Sequence, residues 1–226
     1  MNRPYTVCYM MTSVDGRIDC AMTAQIAGVE DYYPLLDKLD LRSAVSGKTT
    51  ARLELAEQGE FKPADSTPAG KKTVSKKADS TEGYDIITDT KGTLLWKDDK
   101  EYDKPHIILT SEQVSREYLN YLDGKHISYI ATGADIIDLT DASVTLKETF
   151  GIERLGIVGG AAINTAYLDA GLLDEVIVLI GAAIDGRGDY PPVFNREKGG
   201  SLVHLKLMET KAFDSGAVMI RYTVKK

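Results

Sequence analysis

Residues 154–181 read RLGIVGGAAINTAYLDAGLLDEVIVLIG: an apolar run, a stretch of helical character, then a second apolar run. Both runs read as buried strands. Two strands joined through a helix run parallel, and this βαβ unit commits the chain to an α/β architecture with helices on the faces of a sheet. The first strand enters the helix through adjacent glycines, Gly159 and Gly160, followed by Ala161 and Ala162. A tight turn needs one glycine at most. Two glycines and two alanines leave almost no side-chain bulk, so another group can come close to this backbone.

The rest of the chain keeps the alternation. YTVCYMMTS (Tyr5 to Ser13) is a buried strand ending at the turn Asp15-Gly16. EDYYPLLDKLDL predicts a helix with Pro34 in its first turn, where a missing N–H costs nothing. SAVSG is a short strand, and TTARLELAEQG a helix stopped at Gly59. Residues 59–83, rich in Pro, Ser, Thr, Gly and Lys, read as a long polar surface loop. Its Lys71, Lys72, Lys76 and Lys77 form a solvated run or, on a sharper reading, a phosphate contact. YDIITDT, KPHIILT and HISYIATG are further strands. Ser111 is a helix N-cap candidate, and SVTLKETFG a helix ending at Gly151. The tail alternates with period two around Asp214-Ser215-Gly216 and predicts an antiparallel hairpin. A mainly parallel, mixed sheet follows, with ligands expected at the carboxyl ends of its strands.

Composition narrows the function. The 226 residues are 43% hydrophobic and 27% charged, enough for a packed core. A net charge of -7 argues against nucleic acid held by general electrostatics. Cys8 and Cys20 are too few for a disulfide framework and lack metal-ligand spacing, which predicts a reducing, cytoplasmic setting and no metal site. No segment has the apolar length of a membrane span, so no membrane partner is expected.

The glycine pair has a chemical reading. A helix N-terminus carries N–H groups without intrahelical partners and a partial positive charge, so phosphate binds there when the backbone is approachable. The spacing matches neither G-x-G-x-x-G nor the P-loop pattern. By motif alone, a phosphate site and a glycine turn for close helix–strand packing stand equal.

Three stretches, MTSVDGRI, VSGKTT and GIVGGAAINTAYLDAGLLDEVIVLIGAAIDGRG, occur in an order and spacing that resemble the dihydrofolate-reductase-like superfamily. The chain is most similar to the RibD C-terminal domain, the reductase domain of bifunctional riboflavin-biosynthesis enzymes. The resemblance implies a single reductase-like domain over 1–226, a three-layer α/β/α fold with a C-terminal antiparallel hairpin, NADPH as hydride donor, and a homodimer. It implies that Gly159 and Gly160, often joined by a cis peptide in that superfamily, receive the cofactor pyrophosphate, with Ala161 and Ala162 supplying amides. It places Gly47, Lys48, Thr49 and Thr50 along the cofactor, and Asp89, Thr90 and Lys91 near the adenosine ribose and its phosphate. An acidic Asp89 facing the ribose would instead favour NADH. Ser13 and Asp15 fall beside nicotinamide and substrate, with Asp15, or a water it holds, as proton relay and Glu30 and Glu54 as weaker candidates. Where that family carries an Asp-x-Pro segment of the substrate pocket, this chain has ARLELAEQGEF.

The expected activity is therefore NADPH-dependent reduction of a small heterocyclic or carbonyl substrate, with a ribosylaminopyrimidine of the riboflavin pathway as one candidate. Two alternatives stand beside it: a dihydrofolate reductase, with Glu30 or Asp31 as the acid on the first helix, and a non-catalytic nucleotide-binding paralogue.

Overall fold

Eight residues from Tyr5 to Thr12 form strand β1, and seven of them are buried. A strand buried on both faces is what parallel neighbours on both sides produce. β1 lies between β7 (Arg154–Ile157) and β8 (Glu175–Ile180), parallel to both. The structure, a computed structural model, describes residues 1–196 and 199–225. The chain divides into two units: Tyr5–Arg42 with Arg154–Lys226, and Met1–Pro4 with Ser43–Glu153.

In the unit built on β1, the strand order continues from β8 to β10 (Val218–Val224) and β9 (Leu205–Ala212), both pairings antiparallel. The expected hairpin is there. Its helices are α1 (Cys20–Thr23), α2 (Val29–Lys38) and α6 (Ala161–Asp169). Alternate residues Val7, Tyr9 and Met11 of β1 pack with Leu35 of α2, Ile177, Leu179 and Met219. Pro34 is not in the first turn. The chain turns at Gly28 (φ 103), the helix starts at Val29, and Pro34 falls inside it on an exposed position. Gly28 is required twice over, since a Cβ there would also lie 2.5 Å from the Ala217 Cβ.

All eight residues of β9 are exposed, so neither face meets the core. Register puts Leu205, Leu207, Thr210 and Ala212 on one face with Val224, Tyr222, Ile220 and Val218. Lys206, Glu209 and Lys211 share the other face with Thr223, Arg221 and Met219, and a bulge at Met208 separates the two halves. The apolar side of this hairpin faces away from the α2 core, and Lys206 and Lys211 stand on the side of Met219, which packs into that core.

In the second unit, β2 (Ala44–Gly47), β4 (Asp85–Thr88), β5 (His106–Thr110) and β6 (Ser128–Ala131) are parallel. Ile87, Ile108 and Tyr129 pack with Ala51 of α3 (Lys48–Glu54) and with Tyr118, Leu119 and Leu122 of α4 (Arg116–Gly124). Ile86, Ile107 and Ile130, pointing the opposite way, are fully buried as well. α5 (Leu139–Phe150) is capped by Asp138, which accepts the Thr140 and Asp141 N–H groups at 3.0 Å, and ends at Gly151 with φ 71, as expected.

Two details differ. The N-cap of α4 is Ser115, which accepts the Tyr118 N–H at 3.1 Å, whereas Ser111 caps a turn one step earlier. Residues 59–83 also contain β3 (Thr73–Ser75), antiparallel to β6. Its flanking lysines are used locally. Lys72 Nζ reaches Asp141 at 2.7 Å, Lys77 Nζ reaches Asp123 at 2.6 Å, and Lys76 Nζ donates to Thr149 O at 2.9 Å. These cations pin and charge a sheet edge, which keeps it from pairing with other chains.

Candidate functional site

The carboxyl end of β7 leads into the glycine pair. Gly159 has φ +116 and Gly160 has φ -80 and ψ -164; the bond between them is cis. A Cβ on Gly159 would meet the Met10 Cε at 3.2 Å, so β1 packs beneath the turn. A Cβ on Gly160 would meet nothing within 4 Å. The backbone is therefore bare on one side and supported on the other. Gly160 is the N-cap of α6 and supplies no side chain to its amides. By contrast α1, α4 and α5 are capped by Asp19, Ser115 and Asp138. The first-turn N–H groups of α6, at Ala161 and Ala162, have no intrahelical acceptor and carry the positive end of the helix dipole. This turn suits an anion: amide donors, no carboxylate cap, and open space at Gly160.

In the same unit, the chain leaving β1 folds on Ser13. The Ser13 hydroxyl donates to Asp15 Oδ1 at 2.6 Å. Asp15 also accepts the N–H groups of Asp185 at 3.0 Å and Gly186 at 2.9 Å. The Ser13 hydroxyl, then these two amides, hold the Asp15 carboxyl far below the usual carboxylate range. Each of these three bonds favours the ionised form of Asp15. Glu30 accepts the Gly28 N–H at 2.9 Å and Asp31 accepts the Ser215 hydroxyl at 2.7 Å. The acidic pair that starts α2 thus fastens local loops.

In the second unit, Gly47 closes β2 and is the N-cap of α3, again with no side-chain cap. Lys48 and Thr50 are half-buried and Thr49 is exposed. Lys48 Nζ lies 3.9 Å from Asp89 Oδ1. Asp89 is 1% exposed, and its Oδ2 accepts the Thr93 and Leu94 N–H groups at 2.6 and 2.8 Å. Its carboxylate is turned inward and shapes the loop 89–94. Gly92 (φ +65) completes that turn, because a Cβ there would lie 2.3 Å from the Tyr118 ring. The Thr90 carbonyl accepts the Ser111 hydroxyl and the Thr110 hydroxyl, whereas Lys91 is exposed.

The structure thus gathers Gly159, Gly160, Ala161 and Ala162 in one turn and Ser13 with Asp15 in another, both in the β1 unit. Gly47 to Thr50 and Asp89 with Thr90 lie in the other unit, at the carboxyl ends of β2 and β4. Sequence reasoning missed Arg17, Asn164, Thr165, Asp185 and Arg187. Arg17 donates to Tyr190 O at 2.7 Å, Asn164 to Val193 O at 2.8 Å, and Arg187 to Asp19 at 2.9 Å. The spacing Asp15-x-Arg17-x-Asp19, three polar side chains on alternate positions after an apolar strand, was the available signal.

The family model described as the RibD C-terminal domain matches residues 4–219. Among curated proteins none matches by sequence. Solved structures do. A pyrimidine reductase-like protein from Corynebacterium diphtheriae is similar at TM-score 0.70 and 18% identity, over 100% of this chain and 93% of that one. RibD from Acinetobacter baumannii is similar at TM-score 0.68 and 19% identity, over 99% of this chain and 58% of that one. The riboflavin biosynthesis reductase Rib7 of Saccharomyces cerevisiae is similar at TM-score 0.65 and 19% identity, over 100% of this chain and 91% of that one. At these identities the likeness is one of fold.

Proposed function

Because the chain belongs to the RibD C-terminal domain family, we propose that it is a reductase that binds NADPH and reduces a ribosylaminopyrimidine of the riboflavin pathway. The observation that carries this reading is the turn at Gly159–Gly160, which has no side-chain cap and has open space at Gly160 before the amides of a helix N-terminus. When bound, NADPH supplies a hydride to an electrophilic carbon of the substrate, and a proton completes the reduction.

In this reading Gly160, Ala161 and Ala162 bind the pyrophosphate through backbone N–H groups. Gly47, Lys48, Thr49 and Thr50 run along the cofactor. Thr90 and Lys91 meet the adenosine ribose and its 2′-phosphate, with a hydroxyl and a positive charge suited to that dianion. The inward Asp89 presents no carboxylate to the ribose, which favours NADPH over NADH. Ser13 and Asp15 orient groups on the nicotinamide and substrate side. Since Asp15 is held ionised, the proton comes from water ordered there. Glu30 and Asp31 are committed to Gly28 and Ser215, which weighs against the dihydrofolate reductase alternative.

We propose further that two copies pair through the apolar face of the hairpin. Leu205, Leu207, Val218, Ile220, Tyr222 and Val224 share that face by register, and Leu207 is 54% exposed. An exposed edge strand with such a face is an aggregation hazard that symmetric association removes.

The deciding experiment is calorimetry with NADPH, followed by NADPH oxidation with 5-amino-6-(5-phosphoribosylamino)uracil. Binding with turnover is expected. Binding without turnover on that compound or other heterocycles would move the chain to the non-catalytic alternative.

A further inference from the structure

The segment after β8 crosses part of the β1 unit without secondary structure of its own, yet it is tied down along its length. Near its start, Asp185 and Gly186 donate their N–H groups to Asp15. Arg187 pairs with both Asp185 and Asp19 and stacks 3.8 Å over the Tyr190 ring. Arg17 donates to Tyr190 O, and the Ile18 N–H to Pro191 O at 3.1 Å. At its end, Asn164 Nδ2 donates to Val193 O at 2.8 Å and Thr165 Oγ1 accepts the Asn195 N–H at 2.9 Å.

Asn164 is the informative contact. It is fully buried, and its own N–H donates to Gly160 O at 3.1 Å, so it belongs to the turn that opens α6. Helical side chains lean toward the N-terminus, which brings the amide back over that turn. Val193 O only accepts, so the amide presents Nδ2 to it and leaves Oδ1 without a protein donor among the described residues. A ligand held by the first-turn amides of α6 therefore fixes the same helical turn on which the end of the segment is fastened.

We propose that residues 185–195 are a strap latched at one end by Asp15 and at the other by Asn164 and Thr165, and that Asn164 is a positioning residue through which a phosphate at the first turn of α6 holds the strap closed. The coupling rests on the cofactor reading given above; the two latches do not. A ligand shifts an equilibrium only by binding one state better than the other. Here the strapped state has an ordered α6 turn and the released state lacks two bonds that order it.

Arg187 is exposed, and the next residue is Gly188, so trypsin cleavage there reports strap release. The full chain is digested with and without saturating NADPH, with cofactor binding measured in parallel by calorimetry. In the wild type NADPH should slow cleavage roughly tenfold or more. Thr165→Val keeps the side-chain shape and removes the acceptor; Asn164→Ala removes the donor. Both should cleave faster than wild type without cofactor, and NADPH, though bound, should no longer protect them. Equal protection of wild type and both variants, or no protection of wild type with NADPH bound, overturns the coupling. If Asn164→Ala does not fold, Thr165→Val carries the comparison alone. Failure of the wild type to bind NADPH would overturn the function reading and the coupling together, and the latches would then be judged on the cofactor-free rates, where cleavage of the variants at the wild-type rate refutes them.

Discussion

The Ser13 hydroxyl donates to the Asp15 carboxylate across 2.6 Å, and the same oxygen accepts the Asp185 N–H. Depression of a carboxylate pKa in the folded state means that its stabilising effect is present above the ordinary carboxylate pKa, about 4, and is lost as pH falls below it. Protease cleavage of residues 185–190, divided at each pH by that of an unstructured peptide of the same sequence with the same protease, should be flat from neutral pH down to about pH 4 and rise only in stronger acid. Asp15→Ala should raise cleavage from neutral pH down to about pH 4 and remove the rise in stronger acid, and a pH profile unchanged by that substitution would exclude Asp15 as the fastening group.

Gly160→Val should fold and lose cofactor. The position has an ordinary φ of -80, and a Cβ there meets nothing. The branched side chain occupies the space a phosphate needs, so NADPH affinity should fall by roughly a hundredfold or more, near 3 kcal/mol. Gly159→Ala should act on stability instead. Its φ of +116 and the Met10 contact at 3.2 Å predict a cost of about 1–3 kcal/mol in thermal or denaturant unfolding.

Asp89 and Lys91 should separate by readout. Asp89→Ala strands two amides that its buried carboxylate now accepts, and should cost about 3 kcal/mol of stability at roughly 1.5 per bond. Lys91→Ala should leave the melting temperature unchanged and weaken NADPH by about tenfold, with NADH unaffected. Calorimetry with both cofactors checks the second claim, and an equal loss for NADH would assign Lys91 elsewhere.

Leu207→Glu should dissociate the proposed dimer. It places a charge in the middle of the apolar hairpin face, opposite Tyr222. Light scattering across a dilution series should give twice the chain mass for wild type and the chain mass for the variant. The chain mass for both would remove the hairpin from consideration as an interface.

The parts of the fold that were readable came from strong local chemistry. Gly151 and Asp214-Ser215-Gly216 end or turn an element by backbone geometry alone, and they do so here. The glycine pair was readable because no side chain competes with it. Ser111 and Ser115 were not separable by local pattern: both lie before the same apolar periodicity, and the burial of Tyr118 decides for the later one. Pro34 misled because its preference for a first turn is weaker than the closure forced at Gly28. Alternation in β9 marked a strand but not its surroundings, since an edge strand that lies beyond its covering helix exposes both faces. Asn164 gave no signal at all. A buried amide inside an apolar helix acquires meaning only when the segment it ties down is placed beside it.

Ser13, Asp15, Arg17 and Asp19 stand at alternate positions; Ser13 supports Asp15, and each of the other three reaches a different point between residues 185 and 190. Replacing any one of them removes one tie and leaves the others. Deleting or inserting a single residue between Ser13 and Asp19 would break the turn in which the Gly16 N–H donates to Ser13 O and the Ser13 N–H donates to Arg17 O, and would undo several ties together. This stretch is therefore tolerant of substitution and intolerant of a change in length, the reverse of what an exposed loop ordinarily permits.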